Sequence, residues 1–253
     1  MVRFQTVLGI LVFSALVSGA TPASAQPPEP AFKSFKSLFT DLPSDVRRLP
    51  TLTNILWLGG AGGLALAIEH HDRSITQEAH EESAFEEVLD PGEPLGGGLI
   101  QIGGAFGTYL IGRLAHEPAV ALVGADLVRA QIINGALTQA VKVSINRSRP
   151  DGGHYSFPSG HSSATFATAT VLQRHYGWKV GASAYAVATY VAVSRLSENK
   201  HFLSDVIFGA GIGIVSGRAV TVGTKRHPFA ISPMVGQGSY GVMFTHVGRA
   251  IAD

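Results

Sequence analysis

The sequence predicts an all-α fold, a helical bundle of about six core helices followed by a short irregular or β-hairpin C-terminal tail. Three observations carry this prediction. Apolar segments recur along the chain, separated by charged or Gly- and Pro-containing stretches. The longest begins at Pro118 and keeps Val120, Val123, Leu127, Ala130, Ile133 and Leu137 on one face at helical steps of three or four. After Pro228 the pattern changes. Gly236, Gly238 and Gly241 alternate weakly there with Tyr240, Val242 and Phe244, as in a hairpin.

Taken in order, residues 1–25 read as a secretory signal. Arg3 precedes the apolar run Val7 to Phe13, continued by Ala15, Leu16 and Val17, and Ala23-Ser24-Ala25 forms a small-residue cleavage site before Gln26-Pro27-Pro28. The competing reading is an N-terminal membrane anchor. Cleavage implies a periplasmic or secreted chain. Residues 26–50 form a linker with one or two helical turns, in which Phe32, Phe35, Leu38 and Phe39 share a face beside Lys33 and Lys36. That face either docks on the protein's own core or rests on a membrane surface.

Residues 51–226 form the helical domain. Its first apolar segment, Thr53 to Ile68, leads into the acidic, histidine-bearing stretch Glu69-His70-His71-Asp72 through Glu87. The spacing there matches no metal-ligand set, so a solvated helix face and loop is expected. Asp90-Pro91-Gly92-Glu93-Pro94 marks a loop, and a second apolar segment runs from Leu99 to Ile111. Pro118 opens the long helix, which carries Lys142 near its end. Helices follow at Ser162–His175, Val180–Val193 and Leu203–Val220. Gly209, Gly211, Gly213 and Gly217 in the last permit close helix packing; no strand precedes them, so they form no dinucleotide fingerprint. Residues 227–253 are the tail.

The 253 residues suffice for one domain with a sizeable core. A net charge of +1 offers no electrostatic case for nucleic acid. The absence of cysteine excludes disulfides, thiolate metal sites and a cysteine nucleophile. The uninterrupted apolar runs are about 12 to 17 residues, below the roughly 20 of a spanning helix. The long helix also carries Asp126, Arg129, Gln131, Asn134 and Gln139, which are costly in lipid. A soluble or membrane-surface domain is therefore expected. Parity agrees: from an exported N-terminus, three crossings would leave the Lys142 end inside.

Three segments combine into one phosphate-handling site: Lys142 through Arg149-Pro150, Pro158-Ser159-Gly160-His161, and Ser194-Arg195 with His201 and Asp205. They hold three permanent cations, two histidines, a carboxylate and a Ser-Gly turn. Metal-free phosphoryl transfer needs this set: cations on the phosphate oxygens, one imidazole to attack, another to protonate the leaving group, and a carboxylate to hold the attacking ring. Lys142, Arg149 and Arg195 would bind phosphate, the arginines through their planar forks. Ser159 is placed to cap a helix starting near His161, with its hydroxyl and the Gly160 N–H toward the anion. His201 and Asp205, four apart at a helix start, share a face.

Eleven positions in these segments match by type and local spacing, and the pattern resembles the type 2 phosphatidic acid phosphatase and vanadium haloperoxidase superfamily, which includes bacterial class A acid phosphatases. The likeness covers roughly residues 117–222. Only seven residues, Asp151 to Phe157, separate Arg149-Pro150 from Pro158, which implies a tight loop over the site. The resemblance implies His201 as the nucleophile that forms a phosphohistidine and His161 as the acid, so that a neutral His201 faces a cationic His161 at the start of the reaction. With the signal and the absence of a carboxylate or thiolate set in the motifs, the leading expectation is an exported, metal-independent phosphatase with no cofactor, inhibited by vanadate in the phosphate site. The substrate would be a phosphomonoester or a lipid (di)phosphate. Two other readings share these residues: a vanadium-dependent haloperoxidase, with vanadate as cofactor on His201, and a non-catalytic binder of phosphate or lipid headgroups. His154 and Arg147 lie near the motifs; His154 is a candidate for the substrate entrance.

Overall fold

A computed structural model describes residues 34–81, 86–222, 229–236 and 239–246. The signal-like run, Phe32 and Lys33 lie outside these residues. The chain opens with two short helices, α1 (Ser37–Thr40) and α2 (Leu42–Arg47). Next, α3 (Leu52–Ile68) passes through a 3-10 turn, Glu69–His71, into α4 (Asp72–Glu81). Short α5 (Glu86–Leu89) and α6 (Gly92–Gly96) precede α7 (Gly98–Leu114) and α8 (Pro118–Ile145). Then come α9 (Gly160–Tyr176), α10 (Trp178–Ser197) and α11 (Leu203–Val220). Strands β1 (Phe229–Gly236) and β2 (Ser239–His246) pair antiparallel, with Phe229 opposite His246 and Gly236 opposite Ser239.

The bundle is all-α, with six long helices that alternate in direction. Asn54 near the start of α3 bonds Arg218 near the end of α11, while Asp72 just beyond α3 bonds Ser204 at the start of α11. Gly112 near the end of α7 lies against Ala121 near the start of α8, and Thr138 of α8 meets Ser163 near the start of α9. Thus α3, α8 and α10 run toward one end of the bundle, and α7, α9 and α11 run away from it. That end gathers the close of α8, the start of α9, the close of α10 and the start of α11, where the three sequence segments lie.

Close packing of α11 on α9 depends on missing side chains. A Cβ at Gly213 would stand 2.2 Å from the Ser163 carbonyl oxygen, and one at Gly209 2.6 Å from that of Ser159. The glycine row therefore serves helix packing, as its sequence context implies. At the end away from the site, Leu38 of α1 enters the apolar core beside Tyr109, Val123 and Leu127. Asp45 of α2 takes the Arg129 Nε at 2.7 Å, Arg129 also bonds Asp126 at 2.6 Å, and Asp126 meets His175 at 2.8 Å. Segment 34–50 is thereby docked on the protein's own core through Leu38 and Asp45. Phe35 and Phe39, on the face shared with Leu38, stay exposed.

Between the soluble and membrane-surface readings, the surface favours association with a membrane. Leu52–Glu81, Pro118–Ile145 and Leu203–Val220 are helical over 30, 28 and 18 residues, each long and apolar enough to cross a membrane. Helices run on through Gly, Ala, Ser and Thr, which interrupt an apolar run in the sequence without ending the helix. Asp126, Arg129, Gln131 and Asn134 all face inward and are buried, so they do not meet lipid; Gln139, nearer the site end, is exposed. Leu52, Leu56 and Leu66 on α3 and Leu99, Ile111 and Leu114 on α7 point outward, with Leu99 88% exposed. Such exposed apolar faces fit a membrane-associated protein.

Candidate active site

Each predicted site residue sits at the same end of the bundle, placed there by a helix terminus. α8 stops at Asn146, whose left-handed backbone (φ 45°) lets its N–H close on the Lys142 carbonyl. Lys142, one turn earlier, points its Nζ into the following loop and donates to the Tyr155 carbonyl at 2.5 Å. The loop is tight, as its length requires. Arg149 N–H bonds the Gly153 carbonyl at 2.7 Å, Gly152 N–H returns to the Arg149 carbonyl at 3.1 Å, and Arg149 Nε holds the His154 carbonyl at 3.0 Å. Asp151 on its outer side pairs with Lys200 at 3.0 Å, so the loop is tied to the segment that carries His201.

Ser159 caps α9, its fully buried hydroxyl accepting from the Ser162 N–H at 3.4 Å. Its own N–H donates to the Asp205 carbonyl at 2.9 Å, which binds the second segment to the third. Gly160 lies against Lys142, whose Cε would be 3.9 Å from a Cβ there. His161 follows in the first turn of α9, with the backbone of Gly96 against its ring; a Cβ at Gly96 would approach that ring to 2.9 Å. Arg195, 2% exposed in the last turn of α10, gives its Nη1 to both carboxylate oxygens of Glu198 at 2.9 and 2.8 Å. Its backbone carbonyl accepts from the N–H groups of Lys200 and His201, which fixes the turn leading to His201.

His201 and Asp205 are both buried, with His201 Nδ1 3.5 Å from Asp205 Oδ2. At that length the ring is in charge contact without a formed hydrogen bond, and its Nδ1 has no other partner. Asp205 is itself held on all sides. Its Oδ2 accepts from the Phe202 N–H at 2.8 Å and from the Ser156 hydroxyl, and its Oδ1 accepts from Arg147 at 2.8 Å.

The electrostatics alter one expectation. Burial pushes His161 down to about 4, helped by the charges of Arg195, His201, Arg149 and Lys142. Burial lowers His201 too, opposed by its contact with Asp205. Both shifts favour the neutral rings, so the cationic His161 expected from the resemblance would need an anion beside it. A phosphate group entering among these cations would supply it.

Two residues read otherwise from the sequence belong to this site. Arg147, noted only as lying near the motifs, bridges Asp72 and Asp205 at 2.8 Å each. Asp72, taken with the solvated acidic stretch, is 1% exposed and points inward. The signal available was Arg147 itself, a second arginine two positions before Arg149; its partner 75 residues away had no local mark. His154, a candidate for the entrance, has its carbonyl on Arg149 and its ring exposed. A cavity of about 820 Å³ opens beside the cluster, lined by Arg73, Arg147, Arg149, Pro150, His70 and Phe202 among others.

Residues 123–228, which include all eight predicted site residues, match the family described as the PAP2 superfamily. The resemblance read from the motifs holds for this segment. The chain is 40% identical over 87 residues to a lipid A 1-phosphatase of Porphyromonas gingivalis, covering 33% of this chain and 20% of that protein. It is 31% identical over 141 residues to a PA-phosphatase related-family protein of Dictyostelium discoideum, covering 44% and 51%. These curated relatives are thus spanned over a fifth to about half of their length. Among solved structures, that of Aquifex aeolicus LpxE aligns at 22% identity and a TM-score of 0.49, over 58% of this chain and 92% of that one.

Proposed function

From the PAP2-superfamily match over residues 123–228, we propose that this chain is a membrane-associated, metal-independent phosphatase acting on phosphomonoesters, lipid phosphates foremost. One observation carries the reading: His201–Asp205, His161 and the cations Lys142, Arg149 and Arg195 converge at one end of a bundle whose flanks are apolar. Lys142, Arg149 and Arg195 would take the phosphate oxygens, with the start of α9 adding its partial positive charge. The N–H groups of Gly160 and His161 are the open donors there.

In the first step the free Nε2 of His201 attacks phosphorus, and the P–O bond to the leaving group breaks. Asp205 steadies the ring through Nδ1, whose proton it faces. The dianionic phosphate raises the proton affinity of His161, which gives its proton to the leaving oxygen. The neutral His161 then takes a proton from water, which attacks the phosphohistidine and frees inorganic phosphate. The apolar exterior favours lipid over soluble esters, because a lipid headgroup reaches the bundle end while its tails stay beside the helices. Lipid A phosphatases among the relatives point the same way.

Export through a signal cleaved after Ala25 belongs to this proposal and is tested by intact mass, which should show loss of residues 1–25. The activity test is turnover of p-nitrophenyl phosphate and of a lipid monophosphate by the detergent-solubilised chain, with EDTA throughout. Turnover should survive EDTA, favour the lipid and stop with vanadate. Loss under EDTA with rescue by a divalent metal would reject the mechanism.

A further inference from the structure

We propose that Asp72 is a positioning residue for the His201–Asp205 pair and acts through Arg147; this rests on the phosphatase reading above. Asp72 begins α4, well before the matched segment 123–228, so the family match assigns it nothing. Its carboxylate is buried in full and accepts three times: from Arg147 Nη2 at 2.8 Å, from the Ser204 N–H at 2.9 Å, and from the Ser204 hydroxyl. Arg147 turns its other arm to Asp205 Oδ1 at 2.8 Å and to Ser204 Oγ at 2.7 Å. Its guanidinium carbon lies 4.3 Å over the Phe202 ring, which fixes the plane of the fork.

The arrangement divides one cation between two carboxylates. Asp72, Arg147 and Asp205 sum to a single negative charge, the charge that balances a His201 ring turned cationic by bonding phosphorus. Without Asp72 the sum is zero, and the freed guanidinium closes on Asp205 alone. Asp205 would then hold the His201 proton more weakly, and its carboxylate would turn from the ring. The geometry also explains why Asp205, saturated by Ser156, Phe202 and Arg147, still faces Nδ1: each of its oxygens is held in place from a different segment. A purely structural Asp72 would do no more than cap the start of α11 through Ser204.

The test uses the full chain in detergent with p-nitrophenyl phosphate. Asp72→Asn keeps the size and an oxygen for the Ser204 N–H but removes the charge. We expect kcat to fall about ten- to a hundredfold with KM within about twofold, as for small misplacements of reacting groups. The acid limb of kcat/KM should move to lower pH. His201 is faced by Asp205 from α11, Lys142 from α8, Arg149 from the loop and His161 from α9, all unchanged in the variant. Added to Arg147→Gln, Asp72→Asn should cost far less than it does alone, since its route is already cut.

An unchanged kcat and acid limb, or additive effects in the double variant, would overturn the proposal. If Asp72→Asn does not fold, Arg147→Lys keeps the charge but has one arm; it should show the same fall in kcat with the acid limb in place, because the summed charge is unchanged, and a wild-type kcat would overturn the idea. A wild-type chain without turnover on any phosphate ester would reject the phosphatase reading instead. The link from Asp72 to His201 is then read without turnover, by NMR titration of the His201 imidazole: a lower midpoint in Asp72→Asn supports it and an unchanged midpoint refutes it.

Discussion

At the scale of single residues, the two histidines differ in what holds them. His201 has a carboxylate beside Nδ1, whereas His161 has cations around it and no acid partner among its principal influences. The proposed mechanism accordingly gives attack to His201 and proton transfer to His161. Acid-quench trapping of labelled phosphate should give a phosphoenzyme in the wild type and none in His201→Ala, which should also lose turnover by several orders of magnitude. His161→Ala should keep more activity toward p-nitrophenyl phosphate, whose leaving group needs little protonation, than toward an alkyl phosphate. Label that persists in His201→Ala and disappears in His161→Ala would reverse the roles.

The lowered histidines also set a stability profile. Each is depressed in the folded chain, so the unfolded chain binds the extra protons as the pH drops. Their stabilising contribution is complete above the ordinary imidazole value of 6.5 and is lost on the way down to about 4, where folded His161 titrates. The melting temperature should fall across that window, and His161→Gln should flatten the fall. Added phosphate or vanadate should oppose it, because an anion favours the protonated ring. A melting temperature independent of pH between 6.5 and 4 would contradict the burial of these rings.

At the scale of elements, the site depends on how closely α11 approaches α9. Ser159, Ser163 and Ala167 on α9 meet the bare backbone of Gly209 and Gly213 on α11, while His161 and Asp205 project from the first turns of the same two helices. Gly213→Ala inserts a methyl where 2.2 Å is available. It should destabilise by about 1–3 kcal/mol, the usual cost of overpacking, and lower kcat by spreading the two catalytic turns. Gly135→Ala, on an open face of α8, should be silent. Thermal melts and kinetics on both variants check this, and equal behaviour of the two would refute the packing argument. The element boundaries were largely legible. The last helix was placed at Leu203–Val220 and stands there, because a polar N-terminal turn and a long apolar run bracket it. The others run one to four residues further than their apolar segments at one end or both, because helices extend into polar caps that hydropathy does not count.

At the scale of the whole molecule, the alternation of six helices fixes which ends share a side. The site lies with the end of α3 and the starts of α7, α9 and α11; residues 34–51 lie at the other end. If the helices cross a membrane, the site and Lys36 face opposite compartments. A processed N-terminus outside would then place the site inside, and an outward site keeps the N-terminal segment within. The cysteine-free chain allows a direct test with single cysteines at exposed positions, His154→Cys at the site end and Lys36→Cys at the other. With the signal cleaved after Ala25, an impermeant thiol reagent should label Lys36→Cys from outside intact cells and reach His154→Cys only after permeabilisation; the reverse pattern would reject cleavage and place the site outside. The chain should also need detergent for release, resisting high salt and carbonate. Labelling of both from outside would show that the bundle does not cross.

The sequence by itself determined the helical class and the six long helices, and it named the eight candidate residues that the structure gathers at one end. Helical period and a phosphate-handling constellation are local properties, written within a few positions of each residue. It also marked α11's glycines for packing, since no strand precedes them. It left the relation to the membrane open between a soluble and a membrane-surface domain, because hydropathy counts a buried Arg129 and an exposed Leu99 without knowing which of them faces out. Only the tertiary structure decided that, and only it brought Asp72 through Arg147 to Asp205. That link closes over 75 residues between Asp72 and Arg147 and 58 between Arg147 and Asp205. No periodicity encodes it; it exists because α3 and α11 run antiparallel and their site-side ends meet beneath one arginine.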